Sequence, residues 1–219
     1  MLNIPQLLKF LTDLHNNNNK EWFAEHKNQY QLLRNGFTDL VSDIVMSITK
    51  YDNSLDIQDP KKYLFRINRD LRFTKDKRPY KTAMSAAISQ FKKDVGPTYY
   101  FEINYTAKLL TGGGIYSPSP QEIQKIRQDI SNNPEEINKA LTAKDFIKSK
   151  QKLTEDKLKS APKGFLKTDP QIELLKLKRF SVHKEINIAN FTEEELQVEI
   201  SQNLKGVFPL ITYLRRVIN

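Results

Sequence analysis

Tyr99-Tyr-Phe-Glu-Ile-Asn-Tyr-Thr-Ala-Lys-Leu-Leu-Thr-Gly-Gly-Gly-Ile-Tyr116 is the stretch on which the fold turns. Tyr99, Phe101, Ile103 and Tyr105 recur at every second position, the period of a strand with one buried face. A second segment of strand character, Lys108 to Tyr116, follows after only Thr106 and Ala107, so the two are expected to pair as an antiparallel hairpin. Tyr63 to Ile67 and Met84 to Phe91 show the same rough alternation upstream, and Phe180, Val182 and Ile186 suggest a strand downstream. A sheet of about five strands results.

Helical periodicity surrounds these strands. Asn3-Ile4-Pro5 opens a first helix with Pro at its permissive start, and Leu7, Phe10, Leu11 and Leu14 form its apolar stripe. Asn16 to Asn19 compete for backbone hydrogen bonds, ending that helix and capping the next through Asn18 or Asn19. The second helix reads as one long element, with Trp22, His26, Tyr30, Leu33, Phe37, Leu40 or Val41, Ile44 and Ile48 on one face; Gly36 costs it about 1 kcal/mol. Tyr51 to Pro60 is a polar loop.

Beyond the hairpin, Ser119-Pro120 caps a helix bearing Ile123, Ile126 and Ile130, and Asn133-Pro134 starts another through Ile137 and Leu141. Asp169-Pro170 opens a helical turn through Ile172, Leu174 and Leu175. Thr192 with Glu195 is a capping box for a helix through Leu196 and Ile200, and Val207 to Ile218 reads as a separate last helix. This order of elements predicts an α+β fold, an antiparallel or mixed sheet covered by helices, in a single domain spanning residues 1–219.

At 219 residues and 38% hydrophobic, the chain is long enough to bury a sizeable core. No window approaches the roughly 18 apolar residues needed to cross a bilayer, and Pro5, Gln6 and Lys9 interrupt the segment from Met1 to Leu14 where a signal peptide would be apolar. The expectation is a soluble, cytoplasmic protein with no membrane partner. The absence of cysteine excludes disulfides, zinc-thiolate sites, iron-sulfur clusters and thiol nucleophiles.

The net charge is +9 and the pI about 9.5. Two spans hold this excess. Arg66 to Lys81 sets seven Lys and Arg against Asp70 and Asp76, a net +5, and Lys139 to Lys167 sets nine Lys against Asp145, Glu155 and Asp156, a net +6. The second span has no Arg and few aromatics, the composition of a solvated face or a mobile basic loop. The first is Arg-rich beside Phe73 and Tyr80, and the planar Arg fork suits bidentate capture of phosphate or carboxylate. Arg66, Arg69, Arg72, Lys77, Tyr80 and Lys81 are therefore the candidate ligand-binding residues, with Trp22, Gly113 and Tyr116 beside them. The ligand classes are a phosphate-bearing small anion or, using both basic spans, nucleic acid bound without regard to sequence.

Two other readings of the same residues stand open. Asp70 and Asp76 could tie the Arg side chains into an internal ion network, or either could act with His26 as acid and base in phosphoryl transfer or hydrolysis. His15, His26 and His183 are isolated, with no pair spaced for a metal, and His26 fits a packed, hydrogen-bonded role on its helix. Asp70, Asp76 and Glu102 could hold Mg²⁺ together with a substrate phosphate, but their spacing does not require it and no metal site is expected. The Gly112-Gly113-Gly114 triplet lacks the residues of any nucleotide motif; it is either an anion-binding nest or a tight bend in the sheet.

The run Arg66-x-x-Arg69-Asp70-x-Arg72-Phe73-x-x-Asp76-Lys77-x-Pro79-Tyr80-Lys81 closely resembles the signature of a mainly bacterial family catalogued as domain of unknown function 2461. Asn17, Asn18, Glu21-Trp22-Phe23 and Tyr30 are similar to its N-terminal motif, and Tyr99-Tyr100, Gly112 to Tyr116 and Pro118 to its central strand pair. Leu158, Ala161 to Gly164 and Pro170 to Phe180 resemble its C-terminal half. Leu71, Thr74, Arg78 and Ser117 fall where the family varies, and none removes a charge from the cluster. The resemblance implies one family-wide domain and brings no established activity with it.

Overall fold

The computed structural model describes residues 2–90 and 96–219. Among them are the strands β1 (Ala83–Ile88), β2 (Thr98–Asn104), β3 (Lys108–Ile115), β4 (Lys152–Leu153) and β5 (Phe180–Asn187). They form one open antiparallel sheet in the order β1-β2-β3-β5-β4, and the fold is α+β. The helices are α1 (Ile4–Asn16), α2 (Lys20–Glu25), α3 (Lys27–Thr49), α4 (Pro120–Asn132), α5 (Pro134–Thr142), α6 (Lys144–Ser149), α7 (Ile172–Leu175) and α8 (Glu193–Ile218). No helix among the described residues is long and apolar enough to cross a membrane.

The hairpin forms where the alternation places it. Asn104 closes its turn by accepting the N–H groups of Thr106 and Lys108 on Oδ1, at 3.0 and 3.2 Å, while Ala107 takes φ 55°. Alternate β2 residues Tyr99, Phe101 and Ile103 are fully buried. The expected strand from Met84 to Phe91 is β1; its last expected residue, Phe91, lies outside the described residues.

The chain groups into two compact units, and β2, β3, β5 and α8 run through both. The first unit comprises 1–88, 100–111 and 185–201. Its core joins Leu7, Phe10, Leu11 and Leu14 of α1 to Phe37, Val41, Ile44 and Ile48 of α3, with Phe37 and Phe101 at 5.5 Å between ring centroids. Each such fully buried side chain contributes about 1.5–3 kcal/mol relative to exposure. Asn3 caps α1 by accepting the Gln6 N–H, and Asn19 caps α2 by accepting that of Trp22. The second unit comprises 89–99, 112–184 and 202–219, with Ile126, Ile130, Ile137, Leu175, Phe180, Leu204 and Leu214 buried within it. Its α4 begins with a full capping box between Ser119 and Glu122.

Three expectations need correction. The long second helix is broken: α2 ends at Glu25 and α3 begins at Lys27, with His26 between them at φ −101°, ψ 11°. Tyr63 to Ile67 is not a regular strand. Tyr63 and Phe65 exchange backbone hydrogen bonds with Ala87 and Ser85, but Ile67 and Arg69 turn to Lys81 and Pro79, so no continuous ladder accumulates on either partner. The two C-terminal helices are one, since α8 continues through Gly206 and Pro209. The Lys139 to Lys167 span contains α6 and the edge strand β4, which pairs Lys152 with His183 and Leu153 with Val182, and all nine of its lysines are exposed, as on a solvated face.

Candidate anion-binding site

The neck of the Arg66 to Lys81 loop is held by backbone. Lys81 donates its N–H to the Ile67 carbonyl at 2.8 Å and Arg69 donates to Pro79 at 2.9 Å. Asn18 clamps the returning arm: its side-chain amide donates to the Tyr80 carbonyl and its Oδ1 accepts the Tyr80 N–H, both at 3.0 Å. An amide side chain here does the work of a neighbouring strand. The Tyr80 ring is buried and stacks on Phe23 at 4.1 Å, and Phe23 leads through Tyr30 and Phe10 to Trp22. Trp22 in turn stacks on His26 at 3.9 Å, and His26 Nδ1 lies 2.8 Å from the Trp22 carbonyl. Trp22, His26 and Tyr80 thus belong to an aromatic platform beneath the loop's attachment.

Above the neck, a short pattern appears twice. In Asp70-Leu71-Arg72 and Asp76-Lys77-Arg78 the carboxylate accepts the N–H of the residue two positions on, the local turn that Asp favours. Each Arg then folds its guanidinium back onto the same carboxylate, with Nη2 at 2.7 Å for Arg72 and 2.8 Å for Arg78. Arg69 bridges the loop from within. Its Nη1 reaches Asp76 Oδ2 at 2.9 Å and the Arg78 carbonyl at 3.0 Å. Lys77 closes the tip by donating to the Leu71 carbonyl at 3.1 Å.

These pairs fix the protonation of the acids. The hydrogen bonds from Arg72 hold Asp70 down to about 2, and those from Arg78, aided by Arg69, hold Asp76 well below the usual carboxylate range. Carboxylates so placed carry no proton to donate near neutrality and accept one poorly, which is unfavourable for general acid or base work. Glu102 accepts a hydrogen bond from the Tyr100 hydroxyl at 2.7 Å. Among the described residues no group of three or more His, Cys, Asp or Glu gathers as metal ligands do.

Two acids engage three Arg, and the remaining cations divide by environment. Arg66 and Lys75 are exposed and, like Lys77, have no acid within 4 Å among the described residues. Lys81 lies over the Phe65 ring, 4.9 Å from its centroid. Phe73 stands at the tip, 93% exposed, with the Arg72 guanidinium 5.5 Å from its ring centroid.

Gly113 and Tyr116 belong to the second unit. Gly113 is an interior residue of β3; a Cβ there would lie 2.6 Å from the Thr98 carbonyl and 2.7 Å from Val207 Cγ1. Tyr116 is 68% exposed and carries Arg179 on its ring at 4.1 Å, while Arg179 also pairs with Asp156. The sequence reading missed Asn18 as the clamp, Phe73 as the exposed tip and Lys75 as an unengaged cation. The repeated Asp-x-Arg spacing was the available signal for the turns.

The fold and loop define a basic α+β protein with a structured Arg-rich surface loop. The chain belongs to the family described as conserved hypothetical protein (DUF2461), whose model matches residues 6–213. No curated protein and no solved structure matches it.

Proposed function

We propose that the protein binds a phosphate-bearing anionic ligand at the Arg66 to Lys81 loop. One observation supports this reading: Asp70 and Asp76 are occupied by Arg69, Arg72 and Arg78, leaving Arg66, Lys75 and Lys77 without an ion pair among the described residues. The ion-paired Arg residues shape the loop, and the cations without an ion pair attract the ligand; the outer N–H groups of exposed Arg72 add directional donors. A thermal-shift series with inorganic phosphate, pyrophosphate and phosphorylated metabolites tests it. A ligand present at about a hundredfold its Kd stabilises by about 2.7 kcal/mol, raising Tm by roughly 5–10 °C. The shift should disappear in the Arg66→Ala, Lys77→Ala double variant. A flat response across the series overturns the reading.

The exposed Phe73 favours a second reading, single-stranded nucleic acid bound without sequence preference. An aromatic ring among cations offers a base-stacking platform, worth about 1–3 kcal/mol per stacked base. Fluorescence anisotropy with a labelled oligonucleotide at low salt should then show binding that Phe73→Ala weakens about fivefold or more by this estimate. Binding insensitive to Phe73→Ala removes this reading.

A further inference from the structure

The two aspartates of the loop are held to different degrees. Asp76 is tied from two sides, by Arg78 and, from within the loop, by Arg69. Asp70 has one ion-pair partner among the described residues, Arg72, which grips it as a fork: Nε lies 3.0 and 3.2 Å from the two carboxylate oxygens and Nη2 lies 2.7 Å from Oδ2. Both side chains stand in solvent, Arg72 76% and Asp70 43% exposed, and a pair so exposed contributes little to stability. The turn beneath has its own support, because Asp70 Oδ1 accepts the Arg72 backbone N–H at 3.1 Å. Arg66, without an ion pair among the described residues, adds its positive charge to the field on the same carboxylate.

We infer that Asp70 is an internal competitor for the ligand, its carboxylate occupying the seat at Arg72 that a phosphate group of the ligand takes over. The inference rests on the phosphate reading of the loop and extends the part of Arg72 from its outer N–H groups to its paired edge. The fork that grips a carboxylate fits two phosphate oxygens equally well. Charge favours the exchange: Asp70 sets one negative charge against the guanidinium groups of Arg72 and Arg66, whereas a phosphate dianion matches both. A monoanion gains nothing by replacing Asp70, so the pair selects for dianions. The frame of the loop survives the exchange, since Arg69, Asp76, Arg78 and the Asn18 clamp hold it without Asp70.

The test is calorimetric titration of the full chain with pyrophosphate at fixed ionic strength. Asp70→Asn keeps an oxygen that accepts the Arg72 N–H and removes the charge, so it should tighten pyrophosphate about tenfold. Adding Arg72→Gln should cut that gain below about threefold, because only the general loss of a negative charge remains. Glu173→Gln, the same change of net charge in the second unit, should alter binding less than about twofold. In the wild-type chain, the Arg72 Nε–H resonance should move as pyrophosphate saturates, a readout that needs no variant to fold. A wild type that binds while Asp70→Asn brings no gain, a gain that persists without Arg72, or an Arg72 resonance that stays fixed at saturation overturns the inference and leaves the loop reading standing. Absence of pyrophosphate binding in the wild type and in Asp70→Asn alike removes both.

Discussion

The loop from Arg66 to Lys81 and the span from Lys139 to Lys167 carry nearly the same positive excess, +5 and +6, and hold it by different means. In the loop each acid serves nearby cations: Asp70 takes Arg72, and Asp76 takes Arg78 and Arg69. In the lysine span two of the three acids reach outward, Asp145 to Lys205 at 3.3 Å and Asp156 to Lys178 and Arg179 at 2.9 and 3.2 Å. Among the described residues Lys157 alone of the nine lysines ion-pairs, with Glu173 at 2.8 Å. Strongly hydrated lysines around the two-residue edge strand β4 deter pairing with another chain. Arginines locked to nearby aspartates make a defined surface. Equal charge therefore does not imply equal purpose, and the partner geometry distinguishes the two.

Removing charge from each segment is the sharpest way to break this contrast. On the loop reading, Arg66→Ala, Lys75→Ala and Lys77→Ala together should weaken polyphosphate or oligonucleotide binding about a hundredfold or more, and reduce the log–log salt slope by about 2–3 for nucleic acid. Lys148→Ala, Lys159→Ala and Lys163→Ala together should change binding less than about threefold. Equal losses would erase the distinction.

Stability separates the segments next. Asn18→Ala removes both hydrogen bonds to Tyr80 and should cost about 1–3 kcal/mol, lowering Tm by roughly 2–10 °C in calorimetry. Lys157→Ala in the lysine span should leave Tm within about 2 °C, because its ion pair is well exposed.

Acid titration gives the smallest effect. Asp70 binds its proton less readily folded than unfolded, so its pair with Arg72 contributes above the ordinary 3.8 and that contribution fades as pH falls toward about 2. Carboxyl NMR should show the low midpoint, and Asp70→Asn should flatten the acid limb of the stability curve in that window. An Asp70 midpoint near 3.8 would mean that the turn does not persist in solution.

The elements legible in the sequence were those whose signal is local. Asn3 and Asn19 as caps, the Ser119 and Thr192 capping boxes and the β2–β3 hairpin all form between residues a few positions apart. What escaped depended on distant partners. Trp22, His26 and Tyr30 keep helical spacing across the α2–α3 break, so periodicity continues where the helix does not. Tyr63 to Ile67 alternates like a strand but divides its hydrogen bonds between two partners. The helix through Ile200 and the one read from Val207 join through Gly206, whose missing side chain makes room in α8 for Ser149 and the Asp145 carbonyl of α6. The loop's charge was plain from composition, whereas which cations are left without an ion pair, Arg66, Lys75 and Lys77, required knowing which side chains Asp70 and Asp76 accept.

The Gly112-Gly113-Gly114 run in β3 has a consequence for how this chain tolerates change. A methyl group at Gly112 would meet the Val182 carbonyl, one at Gly114 the Phe180 carbonyl, and Gly114 also holds φ +112°, so alanine at either position wedges β3 from β5. Conditional alleles raised by random mutagenesis should therefore gather in this triplet, where one carbon atom separates a folded chain from a heat-labile one, more than among the exposed loop cations.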